Sequence, residues 1–222
     1  MNHPPDRGYF ITGTDTEVGK THVAVALIHH LKKQGLRVSA LKPVASGSIQ
    51  TATGPASPDA QQLQAAANLK LDSPPTNRYL FAPPIAPHIA AKQAGVRIDL
   101  QAIKRDADQV AAQADCLVVE GAGGWLVPLT ERETMADLAQ LLGFPVILVV
   151  GMRLGCINHA LLSLREIART GTPLKGWVAN HHQAPATKSR PQVKAIQART
   201  NAPLLTEIEF TPAKTKAPIW NL

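Results

Sequence analysis

Gly13-Thr14-Asp15-Thr16-Glu17-Val18-Gly19-Lys20-Thr21 follows the apolar run Tyr9-Phe10-Ile11 and opens into Val23-Ala24-Val25-Ala26-Leu27-Ile28. A strand, a glycine-bounded loop and Gly-Lys-Thr at a helix start form the arrangement that cradles nucleotide phosphates. Backbone N–H groups freed at the helix start, together with the helix dipole, favour an anion there. Lys20 adds a point charge, and the Thr21 hydroxyl is suited to Mg²⁺. The spacing is irregular. Gly13 stands one place too far upstream for G-x-x-x-x-G-K-T, and Thr14 holds the place of the first glycine. An ordinary strand-to-helix turn is the bland alternative; the strand before and the helix after favour the phosphate loop.

Downstream, a helix is expected from about Thr21 to Gln34, with Gly35 where a C-cap belongs. Arg37 to Lys42 reads as a second strand ended by Pro43, which puts Lys42 at a strand's carboxyl end, where open α/β sheets place ligands. Val44-Ala45-Ser46-Gly47-Ser48 reads as a small flexible loop, and Ile49 to Pro58 as a mobile surface loop. Ser57-Pro58-Asp59 predicts a helix start with Asp59 as capping carboxylate, leading into a helix over Ala60 to Leu69. The stretch from Ser73 to Pro87 carries Pro74, Pro75, Pro83 and Pro84 and reads as an excursion. Helices follow around His88 to Gln93, with His88 as a first-turn cap rather than a ligand, and from about Leu100 to Gln113.

Asp115 to Glu120 predicts a strand buried on both faces and ending on a carboxylate, after which the glycines of Gly121-Ala122-Gly123-Gly124-Trp125 let the backbone approach a ligand closely. An acid in that place suits the second Mg²⁺-organising group of a nucleotide site; an incidental Glu in a tight turn is the alternative. Met135 to Leu142 reads as a helix and Pro145 to Gly151 as a strand. Gly155-Cys156-Ile157-Asn158-His159 opens a helix to about Arg169, whose N-terminus is a second candidate anion seat. Gly176 to Asn180 reads as a strand with Asn180 offered to an adenine edge, and Pro203 to Ile208 as a last short strand. Alternating strands and helices imply an α/β fold: a doubly wound, mostly parallel, P-loop NTPase-like sheet with its chemistry on one rim. One domain is expected over residues 1–222, with 1–8 a loose tail.

The 222 residues suffice for such a domain with a proper core. A formal charge of +7 invites a nucleic-acid partner, but the basic residues are spread out, with one modest cluster at Lys188, Arg190, Lys194 and Arg199. Aromatics make up 4%, too few for a base-stacking platform, so no nucleic acid is expected. No apolar run approaches the roughly 18 residues of a spanning helix, so no membrane partner is expected either. With no signal-like start, the cytoplasm is the expected compartment. Cys116 and Cys156 read as buried thiols, not a disulfide framework.

The rim thus collects Lys20, Thr21, Lys42, Ser46, Asp59 and Glu120 with two helix N-termini. Two lysines beside a metal-bound triphosphate suit a transferred phosphoryl group, which points to an ATP-using transferase or ligase. Gly13 to Thr21, Lys42-Pro-Val-Ala-Ser-Gly-Ser48, Glu120-Gly-Ala-Gly-Gly124, Pro145 to Gly151, Leu154 to His159 and Gly176 to Asn180, in this order, resemble the dethiobiotin synthetase family. That family's phosphate loop also carries threonine where the first glycine is usual. The resemblance implies condensation of 7,8-diaminopelargonate with CO₂ and ATP through a carbamate and a carbamic–phosphoric anhydride, with Mg²⁺ and a homodimer.

Carried over residue by residue, the resemblance puts Glu17, Val18, Gly19, Lys20, Thr21 and His22 on the phosphates. Thr21, Asp59 and Glu120 would organise the metal, with Gly121, Ala122 and Gly123 along the nucleotide. Lys42 and Lys20 would be catalytic, and Thr16 and Ser46 would face the diamine. Gly155, Cys156, Ile157 and Asn158 would receive its distal carboxylate across the dimer interface, and Asn180 and His181 would lie at the base. Departures fall in the last third. His181-His182 stand where an acid often follows Asn180, Glu209-Phe210-Thr211 replace a Pro-Trp continuation, and the segment from Lys188 to Arg199 matches poorly. Two rivals remain at this level: an amide-forming or partitioning ATPase, many of which carry lysine where Asp15 stands, and a non-catalytic nucleotide-binding module.

Overall fold

The computed structural model describes residues 7–69, 71, 75–181, 186–209 and 218–222, without the side chains of 186–189. Most of the expected tail, Ser73, Pro74, His182, Phe210 and Thr211 lie outside the described residues, as does the Lys188 side chain. The first half of the chain runs β1 (Gly8–Gly13), α1 (Lys20–Lys33), β2 (Val38–Leu41), β3 (Val44–Ser46), β4 (Ile49–Thr51), β5 (Gly54–Ala56), α2 (Pro58–Ala66) and β6 (Tyr79–Phe81). Then come α3 (Pro87–Gln93), α4 (Leu100–Ala111), β7 (Cys116–Gly124), α5 (Met135–Leu142) and β8 (Val146–Gly151). The chain closes with α6 (Cys156–Arg169), β9 (Leu174–Asn180), α7 (Ala186–Gln197) and β10 (Leu204–Ile208).

Six of these strands form a parallel sheet in the order β10-β9-β8-β1-β7-β2, the doubly wound arrangement expected. Its centre is apolar on both faces because helices cover both. Successive residues of β1 split accordingly: Tyr9 and Ile11 pack with Leu27, Ile28 and Leu63 of α1 and α2. Phe10 packs with Ile103, Leu138 and Leu164 of α4, α5 and α6. Each such side chain contributes about 1.5–3 kcal/mol relative to exposure, so burial holds these helices on the sheet more than propensity does.

Three readings of the sequence are corrected, and one helix went unread. The flexible loop at Val44 contains β3, which pairs in parallel with β6, Val44 opposite Tyr79. Its partner lies some way along the chain, so no local signal marks it. The mobile loop from Ile49 contains an antiparallel hairpin, β4 with β5, whose turn is held by Thr51 donating its hydroxyl to the Gly54 carbonyl at 2.6 Å. The glycines after Glu120 do not turn at once; β7 runs on to Gly124. And α7, unread because Pro191 interrupts a polar stretch, buries Val193 and Ile196. Cys116 and Cys156 are free and buried, as expected. Among the described residues no helix is long and apolar enough to cross a membrane.

Candidate active site

Strand register builds the site. Leu41 pairs with Val119 across β2 and β7, so the next residues, Lys42 and Glu120, emerge side by side. On the other flank Ile11 pairs with Glu120, and a register shift before Gly13 lets the phosphate loop rise directly above that carboxylate. Lys42, Glu120 and Lys20 are all buried, and they open onto one cleft of about 570 Å³.

At its floor the Lys42 ammonium donates to Glu120 Oε1 at 2.6 Å and to the Gly121 carbonyl at 3.2 Å, and lies 3.0 Å from Asp59 Oδ2. Three acceptors match the three N–H bonds of an ammonium. Burial alone would lower the Lys42 pKa, but the charges of Glu120 and Asp59 outweigh it and hold it above the ordinary lysine value. Burial would raise Asp59; Lys42 first, then Thr21 and Lys20, bring it below the usual carboxylate value instead. Thr21 donates its hydroxyl to Glu120 Oε1 at 2.9 Å. Glu120 Oε2 is buried without a partner, as is Ser46 Oγ. Both residues line the cleft, where a ligand can complete these two atoms.

In the loop itself, Lys20 donates to the Asp15 carbonyl at 2.9 Å. Burial, then the neighbouring Lys42 charge, pull its pKa down to about 8. Two glycines are there of necessity. Gly19 has φ +86°, and a Cβ on it would overlap the Asn180 amide nitrogen. A Cβ at Gly13 would come within 2.7 Å of Val18 Cγ2, which accounts for a glycine one place off the usual motif. Glu17 takes a left-handed φ of 58° without being glycine, a strained conformation of the kind that gathers at functional loops. The first turn of α1 carries no acid, leaving its N–H groups and dipole free for an anion.

The other candidates divide. Thr16, Glu17, Gly19, Thr21, Ala122 and Gly123 line the same cleft. Val18 is buried beneath the loop, and His22 is exposed on α1 beyond the lining. Asn180 is buried and donates its amide to the Val18 carbonyl at 2.8 Å, bracing the phosphate loop from below. His181 is buried, its Nε2 3.1 Å from Glu207. Gly155, Cys156, Ile157 and Asn158 do not line this cleft. Gly155 and Asn158 are exposed, whereas the Cys156 thiol is buried and reaches Gln192 at 3.6 Å.

Two expectations about helix starts are overturned. Ser57 Oγ, not Asp59, caps α2, accepting from the Ala60 N–H at 3.3 Å; Asp59 is drawn instead to Lys42. The start of α3 has no side-chain cap, and His88 Nδ1 is buried without a hydrogen-bond partner. Sequence reasoning also missed groups. Pro84, Ile85 and Pro87 form a cleft wall, for which the prolines were the available signal. Asn77 donates to the Lys42 carbonyl at 2.6 Å. Arg153 pairs with Asp15, whose other oxygen accepts from the Thr16 N–H at 2.7 Å. Nothing in the sequence near either residue announces that pair.

A phosphate cradle, two acids with a hydroxyl, and two lysines in one cleft can bind a metal-bound nucleotide and stabilise charge on a transferred phosphoryl group. Residues 7–217 match the AAA domain family. The chain is 46% identical over 214 residues to an ATP-dependent dethiobiotin synthetase BioD of Pseudomonas aeruginosa strain UCBPP-PA14, covering 94% of each. It is also 46% identical over 199 residues to the protein of that name from Nitrosospira multiformis, covering 90% of this chain and 86% of the relative. Among solved structures, the cell division ATPase MinD of Pyrococcus furiosus aligns with a TM-score of 0.58 at 18% identity, over 94% of this chain and 85% of that one. A MinD from Pyrococcus horikoshii in complex with Mg-ADP aligns at 0.55 and 17% identity, over 93% and 82%. At such identities the MinD likeness speaks for the fold alone.

Proposed function

The chain belongs to the ATP-dependent dethiobiotin synthetase family, and from that premise we propose how its rim divides the work. The reaction is ATP-dependent carboxylation and ring closure of 7,8-diaminopelargonic acid with CO₂, giving dethiobiotin, ADP and phosphate in biotin biosynthesis. It proceeds through a carbamate and a carbamic–phosphoric anhydride, so the protein must hold a triphosphate against a diamine. It must also neutralise charge as the phosphoryl group moves and keep water out.

Glu17 to His22 take the phosphates through loop N–H groups, with Lys20 on the transferring group. Thr21, Asp59 and Glu120 would hold Mg²⁺: the two carboxylates and one hydroxyl are oxygen donors of the right hardness, and Glu120 Oε2 is buried with no other partner among the described residues. The metal, when bound, offsets charge on the phosphate oxygens. Gly121, Ala122 and Gly123 let the backbone approach the nucleotide, and Asn180 and His181 lie at the base end. Thr16 and Ser46 orient the diamine, and Lys42 stabilises the carbamate and the charge that develops as its oxygen takes the phosphoryl group. Gly155, Cys156, Ile157 and Asn158 receive the distal carboxylate of a diamine bound to the other subunit of a homodimer. The working compartment is the cytoplasm.

The observation that carries this assignment is that Lys20, Lys42 and the orphaned Ser46 hydroxyl share one cleft. A regulatory module that only binds nucleotide needs no second buried lysine at the reacting end. The test is ATP turnover by the purified protein with and without bicarbonate and the diamino acid. Turnover that depends on both is expected; equal hydrolysis without them would overturn the assignment.

A further inference from the structure

We propose that the Lys42 ammonium is a placeholder for the divalent cation, seated among the metal's own ligands and expelled into the cleft when metal and nucleotide load together. The inference rests on the reading that Asp59, Glu120 and Thr21 hold the metal. Lys42 Nζ lies 2.6 Å from Glu120 Oε1 and 3.0 Å from Asp59 Oδ2, and Glu120 Oε1 also takes the Thr21 hydroxyl at 2.9 Å. One ammonium therefore touches both acids and the oxygen to which the hydroxyl is tied. A metal ligated by these groups would sit at about 2.0–2.1 Å from their oxygens. Bound through Glu120 Oε1 and Asp59 Oδ2, it cannot share that space with an ammonium held this closely, and bound through the free Glu120 Oε2 it would still set its charge against the ammonium across one carboxylate.

The same lysine cannot both fill this seat and stabilise a carbamate, so the site has two arrangements. In one, Lys42 neutralises the acids and holds them in place. In the other, the metal does so and the ammonium is free for the reacting groups. A flexible four-carbon stem allows the exchange without backbone movement.

The exchange also ties metal loading to the triphosphate. A hydrated cation arriving alone must displace an ammonium bonded to two carboxylates and to the Gly121 carbonyl. A metal–nucleotide pair brings phosphate oxygens to complete the coordination and gives the departing ammonium a new anion. Free Mg²⁺ is thereby discriminated against, and Lys42 reaches the reaction zone when the phosphoryl donor arrives.

Mn²⁺ binding followed by electron paramagnetic resonance in the absence of nucleotide tests this on the full chain. The wild type should bind weakly, Lys42→Gln and Lys42→Met should bind at least about tenfold more tightly, and adding Glu120→Gln should abolish the gain. Equal Mn²⁺ affinity in the wild type and both Lys42 variants overturns the placeholder. If Glu120→Gln and Asp59→Asn leave Mn²⁺–ATP affinity unchanged, the metal assignment itself is wrong, a separate failure. Because an uncompensated Glu120 can destabilise the variants, the wild type supplies a second readout. In a crystal with Mg²⁺ and a non-hydrolysable ATP analogue, Lys42 Nζ should leave hydrogen-bond reach of Glu120. An ammonium still seated there beside a bound metal overturns the proposal.

Discussion

Lys20 is buried with its charge on, and among the described residues its ammonium donates to the Asp15 carbonyl at 2.9 Å. Burial first, and Lys42 second, lower its pKa from 10.5 to about 8. Between those two pH values the unfolded chain holds a proton that the folded one lacks. The penalty of burying this charge is therefore present below pH 8 and is relieved as pH rises from about 8 to 10.5. A polyphosphate beside the amine favours its charged form and raises the pKa again. Metal-free ATP binding near pH 9 should therefore take up a proton, and affinity should fall by up to about tenfold per pH unit above 8. Calorimetry in two buffers of different ionisation enthalpy measures that proton directly; no uptake at pH 9 would rule the account out. Lys42 and Glu120 were legible in the sequence because each closes an apolar run that reads as a strand, and the carboxyl ends of such strands are where these sheets keep their chemistry. Arg153 with Asp15, and Asn180 under Val18, were not, because each pairing joins residues far apart along the chain.

Among the elements, legibility followed how much each depends on its own residues. Strands β1, β7 and β8 are apolar runs buried on both faces, and α5 lies where its pattern put it, from Met135 to Leu142. The three-residue strands β3 and β6 exist only because each supplies the other's hydrogen bonds. The last described residues tell the same story. Trp220 is buried against the α1 side of the sheet, its ring 6.1 Å from that of His30, and the Asn221 N–H donates to the Leu205 carbonyl at 2.9 Å. Nothing in Pro218-Ile219-Trp220 marks it as core, yet it clamps the helix whose N-terminus is the proposed phosphate seat. Trp220→Ala should cost about 3–5 kcal/mol, or roughly 6–20 °C in melting temperature. Differential scanning calorimetry reads this directly. A shift under a few degrees would mean that the indole contributes little to holding α1.

At the scale of the molecule, the cleft of one chain is lined by the proposed phosphate and metal residues but not by the N-terminus of α6. That helix start has no acid in its first turn, a left-handed Gly155 before it and an exposed Asn158, features suited to an anion that arrives from outside. Leu154 beside it is 95% exposed, and Leu162 on the same helix is 58% exposed. Exposed leucines at this end of α6 are surface that an interface can cover. On the proposed homodimer both observations have one cause: the partner covers the leucines, and its diamine ends at the α6 start. Leu162→Asp separates these roles, since the change lies about one turn beyond Asn158 and away from the ATP cleft. Sedimentation should show a dimer for the wild type and a monomer for the variant. The KM for the diamine should rise about tenfold or more while ATP affinity stays within about twofold. A monomeric variant with an unchanged diamine KM would place the carboxylate seat within one chain, and the exposed α6 start would then need another ligand.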